Sequence, residues 1–87
     1  MSTRTFCTFE ELANGHGNLL KLLFSLKAVF CDLPEETICR AFTSLVNAHG
    51  QTHIIGNDLW YFLMTKFGKG NEIDYLALSS SISGFLH

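Results

Sequence analysis

Between Pro34 and Gly50 the apolar residues Ile38, Ala41, Phe42, Leu45 and Val46 recur at the i, i+3, i+4, i+7, i+8 spacing of one helix face, with Arg40, Thr43, Ser44 and Asn47 opposite. Asp32 is placed to cap this helix, Pro34 suits its first turn because a missing N–H costs nothing there, and Gly50 closes it. Upstream, Thr8-Phe9-Glu10-Glu11 has the form of a capping box and predicts a short leading helix that breaks at Asn14 to Gly17. Asn18 then caps a helix through about Cys31, in which Leu19, Leu22, Leu23, Leu26 and Phe30 line one face while Leu20 and Phe24 extend it sideways.

Downstream, Gln51 to Gly56 reads as a loop although Ile54 and Ile55 are β-branched, with Asn57 or Asp58 capping the helix that follows. From Leu59 to Phe67 nearly every residue is apolar, which predicts burial on more than one side. Gly68 and Gly70 end that helix. Asn71 caps a last one, in which Tyr75, Leu78, Ile82 and Phe85 share a face and serines weaken the end. The pattern therefore predicts an all-α fold over residues 1–87: a small bundle of three longer helices plus a short N-terminal helix, with the Asn71-capped segment at its end.

Composition sharpens this picture. Hydrophobic residues make up 47% of the 87 positions and charged residues only 16%, and eight phenylalanines are present. A domain this short buries only somewhat over 60% of the surface of its unfolded chain, so part of the apolar load is expected to meet another protein surface. The formal charge of -2, with basic residues scattered at Arg4, Lys21, Lys27, Arg40, Lys66 and Lys69, forms no stripe along a phosphate backbone and disfavours nucleic-acid binding. The most apolar stretch, Leu19 to Cys31, is about 13 residues long against the roughly 20 that span a bilayer, and Lys21 and Lys27 interrupt it. No transmembrane segment is expected, and an odd set of three cysteines with no secretion signal points to a reducing cytoplasm.

Candidate chemistry is sparse. Glu10, Glu11, Asp32, Glu35, Glu36, Asp58, Glu72 and Asp74 all fall at or within a turn of a predicted helix start, where carboxylates suit the positive pole of the helix dipole. Lys66 and Lys69 suit the opposite pole. Gly50 separates His49 from His53, which spoils a helical two-histidine metal site, and Cys31 and Cys39 read as small core residues. His16 between two glycines reads as a flexible connection. No catalytic residue, cofactor or metal ligand is assigned, and an enzyme is not expected.

Trp60-Tyr61-Phe62 is more informative. Consecutive helical residues point about 100° apart, so the three cannot share one core face; Trp60 is assigned to the core, and Tyr61 and Phe62 to an interface. With the sideways-facing Leu20 and Phe24 and the cation Lys66, they form the expected partner-binding set.

From Glu36 onward, the order Glu36-Thr37-Ile38, Thr43, Leu45, Gly50, Leu59, Leu63, Phe67 and Tyr75-Leu76-Ala77-Leu78 resembles the small YmgB/AriR group of enterobacterial biofilm-development regulators, over roughly the last three-fifths of the chain. The resemblance implies a short all-helical cytoplasmic homodimer that acts without catalysis, connecting stress signals to phosphorelay control of biofilm and acid resistance; DNA binding has also been associated with that group. The connection after Gly50 is longer here and the aromatic load heavier. The expected function is that of a non-enzymatic homodimeric connector or adaptor. The alternative is a small phage-type inhibitor that docks its apolar surplus on a host defence or transcription protein.

Overall fold

The computed structural model describes residues 8–52 and 54–86. The described chain is all-α apart from one tiny hairpin, in the order α1 (Phe9–Ala13), α2 (Gly17–Val29), α3 (Glu35–Ala48), α4 (Gly56–Phe67), β1 (Gly68–Lys69), β2 (Glu72–Ile73) and α5 (Tyr75–Ser83). The capping box at the start is formed: Thr8 Oγ1 accepts the Glu11 N–H at 3.1 Å, and its hydroxyl donates to Glu11 Oε1 at 3.2 Å. α3 buries all five residues of its predicted face, together with Cys39.

The shortest helix lies at the centre. α1 packs against α2, α3 and α4, and Phe9, Leu12 and Ala13 are all buried. Its first backbone N–H, that of Phe9, donates to Glu35 Oε2 at 2.6 Å, so a carboxylate from the first turn of α3 also holds the start of α1. Its end is fitted against α4. Gly56 adopts a φ of +60°, and a Cβ there would lie 3.2 Å from Asn14 Cβ and 3.4 Å from the Ala13 carbonyl oxygen. Glycine is needed at this position both for the left-handed backbone and for the close approach.

Several helix starts differ from the sequence expectation. Asn18 lies inside α2, and His16 caps it instead, Nδ1 accepting the Leu19 N–H at 3.1 Å. α3 begins after Pro34 with no side-chain cap from Asp32; the Pro34 carbonyl accepts the Thr37 N–H at 3.0 Å. α4 likewise has no side-chain cap from Asn57 or Asp58, because both lie within the helix, whose cap position is the extended Ile55. Asn71 belongs to the hairpin turn rather than to a cap: β1 and β2 pair antiparallel in the register Gly68↔Ile73 and Lys69↔Glu72, and Asp74 caps α5 through the Ala77 N–H. Glu72 is therefore a strand residue.

Two side-chain placements also differ. Cys31 is exposed beyond the end of α2, while Cys39 is in the core. Phe62, assigned outward from sequence, is only 7% exposed and belongs to the central cluster with Leu59 and Leu63.

If α1 is the wedge of this packing, Leu12→Ala should cost about 2–5 kcal/mol by chemical denaturation. Leu76→Ala, at a side chain 79% exposed, should stay within about 0.5 kcal/mol.

Candidate functional site

Along α4, Leu59, Phe62 and Leu63 face inward, which turns Asp58, Tyr61 and Thr65 to the outside at i, i+3, i+7 spacing. These three join Phe62 and Lys66 from the same helix, and Gln51 and Ile54 from the preceding loop, around an open depression of about 460 Å³. Gln51 and Ile54 are the contribution of that loop to the lining. Phe62, nearly buried, forms the base, and the exposed His49 meets its ring edge-on at a centroid separation of 5.5 Å. His49 is itself fixed at the end of α3, with Nδ1 3.0 Å from the Leu45 carbonyl oxygen.

Tyr61 is 73% exposed on this rim. Asp58 stands in the first turn of α4 and Lys66 in its last, both exposed, and neither has an ion-pair partner among the described residues. The Thr65 hydroxyl turns back and donates to the Tyr61 carbonyl at 2.9 Å. The depression thus offers an apolar base, one large aromatic, an anion at one end and a cation at the other. That combination suits contact with a protein surface: aromatic anchors supply area, and the separated charges fix orientation.

Three members of the expected partner-binding set, Tyr61, Phe62 and Lys66, are therefore brought together, with Phe62 as floor rather than anchor. Leu20 and Phe24 lie apart on α2. Phe24 is 52% exposed and leans edge-on against Phe9 at 5.2 Å, and Leu20 is half-buried. Trp60 is half-buried and stacks on His16 at 5.0 Å, tying α4 to the junction of α1 and α2. The helical spacing of 58, 61 and 65 was available to place Asp58 and Thr65 beside Tyr61. Nothing local in the sequence signals that Gln51 and Ile54 would join them.

The carboxylates are dispersed. Glu10 and Glu11 start α1, Glu36 pairs with Arg40 four residues on, and Glu35 is committed to the Phe9 N–H. Among the described residues, no group of three or more His, Cys, Asp or Glu side chains could hold a metal ion; Cys7 and His53 lie outside them. No described helix is long and apolar enough to cross a membrane. No family model matches the chain, and neither a curated protein nor a solved structure matches it.

Among the described residues, two buried hydroxyl oxygens of α5 find no hydrogen-bond partner, Tyr75 Oη and Ser79 Oγ, four residues apart. Burial raises the Tyr75 phenol above its ordinary 10.0. Above pH 10 the unfolded chain loses this proton while the folded chain retains it, so stability falls as pH climbs from 10 towards the folded value. Tyr75→Phe deletes an unsatisfied polar atom and should match or exceed wild-type stability at pH 7, by up to about 1 kcal/mol. Denaturation curves at pH 7 and above pH 10 should also show a smaller alkaline loss in the variant.

Proposed function

We propose that this chain is a small non-enzymatic regulatory protein that acts by protein–protein contact as a homodimeric connector, two copies meeting through the outer face of α4. One observation carries the reading: the face is complementary to itself. Asp58 and Lys66 lie four residues on either side of Phe62, with the exposed Tyr61 beside that midpoint. They are about 12 Å apart along the axis at the helical rise of 1.5 Å per residue. When two α4 helices lie antiparallel about a two-fold axis near position 62, each Asp58 meets the partner's Lys66, so the pair forms twice. The exposed Tyr61 rings lie at the edge of this contact, 100° round the helix from Phe62. A closed two-fold contact of this kind uses the same patch on both subunits.

Other features support the reading. Both charges lack a partner within the described chain, and Tyr61 presents a large aromatic surface of the type that dominates interface energetics. An assignment to bacterial stress or biofilm signalling rests on the spacing resemblance over the last three-fifths of the chain. The inhibitor reading uses the same face to grip a larger partner from one side.

Charge reversal separates these outcomes. Asp58→Lys and Lys66→Asp should each weaken self-association by at least about tenfold in sedimentation equilibrium, and the double variant should recover it because opposite charges again meet. A double variant as weak as the singles contradicts the antiparallel pairing. A wild-type chain that stays monomeric at high concentration contradicts the dimer and favours the inhibitor.

A further inference from the structure

α2 is covered on one side only. It makes its main contact with α1 and buries the narrow stripe Leu19, Leu23 and Leu26, yet the rest of the helix is far from polar. Phe24 and Val29 are 52% and 53% exposed, and Leu20 is half-buried. At 100° per residue, Leu20 and Phe24 fall on one strip along the side of the buried stripe, Leu20 partly packed on the core and Phe24 edge-on against Phe9, with Lys21 on one flank and Lys27 on the other. α2 contains no Asp or Glu. The chain as a whole carries eight carboxylates against six cations, so a purely cationic, apolar helix face is a local departure from its surroundings.

We infer that the outer face of α2 is a second docking site, and that its occupant is an amphipathic helix of another protein whose apolar stripe is flanked by Asp and Glu. The apolar strip supplies a seat for such a stripe, and the two lysines bracket it where flanking carboxylates would lie. The same charges argue against a second copy of this chain. Antiparallel pairing of two α2 helices about Phe24 sets each Lys21 against the partner's Lys27, and parallel pairing sets each lysine near its own counterpart; either way like charges meet with no acid on the helix to relieve them. An anionic bilayer is the other surface that a cationic apolar helix can meet. Two lysines are few for that role, and the net charge of -2 repels it. This site is separate from the α4 face, since neither Leu20 nor Phe24 lines that depression.

The test uses the full chain and two synthetic helical peptides free of tryptophan, with the same leucine stripe, one flanked by glutamates and its twin by lysines. Binding is followed by calorimetry and by fluorescence of the single Trp60, which stacks on the residue that caps α2. The glutamate peptide should bind at least about tenfold more tightly than the lysine peptide. The double variant Lys21→Glu, Lys27→Glu should reverse that order, and Phe24→Ser should weaken the glutamate peptide by at least about tenfold, each with unchanged helicity and an unchanged sedimentation mass. Equal affinity for the two peptides, no binding of the glutamate peptide, or binding only to phosphatidylglycerol vesicles overturns the inference. A wild-type chain that stays monomeric while the glutamate peptide still binds would count against the α4 reading alone.

Discussion

The burial of a five-residue helix between three longer ones is the constraint on which this fold depends. A helix as short as α1 does not form in isolation, because nucleation fixes several residues for a single hydrogen bond. Here it is held from outside. Phe9, Leu12 and Ala13 are buried against α2, α3 and α4, Glu35 accepts its first N–H, and Gly56 brings α4 against its last carbonyl. The dependence runs both ways, since α2 makes its main contact with the rest of the domain through α1.

This arrangement decides which surfaces remain outside. With α1 occupying the inner faces of α2 and α4, their outer faces are left uncovered, and those two faces differ in charge. α4 carries an acid at one end and a base at the other, whereas α2 carries lysines alone. A mixed-charge face can complement itself; a single-sign face requires a different partner. A dimer seam on one helix and a partner site on another would give a connector two independent contacts, each built from residues that the wedge turns away from the core.

The parts of the fold that follow helical periodicity were legible in the sequence, and those set by tertiary contact were not. The buried face of α3 and the capping box of α1 were plain from spacing and residue type. The start of α2 was misjudged because an imidazole, rather than a hydroxyl or a short carboxyl or amide side chain, accepts the terminal N–H. The hairpin after α4 has strands of two residues, too short for an alternating pattern, and its turn glycine, Gly70 at φ +67°, served equally well as a helix stop. At the candidate site, the 100° step separated Tyr61 from Phe62 but could not say which ring faced inward. The tertiary packing decides it: Phe62 joins the core cluster and meets the His49 ring, while Tyr61 stays in solvent.

The wedge can be tested directly by native-state hydrogen exchange of the α1 amides, particularly Leu12 N–H, which donates to the Thr8 carbonyl at 3.1 Å, and Asn14 N–H, which donates to Glu10 at 2.9 Å. If the fold depends on this helix, these amides exchange only through global unfolding, with the same free energy as the slowest amides of α3. Exchange through local fraying, at a free energy far below that of α3, would show that the bundle stands without α1 and would contradict the account.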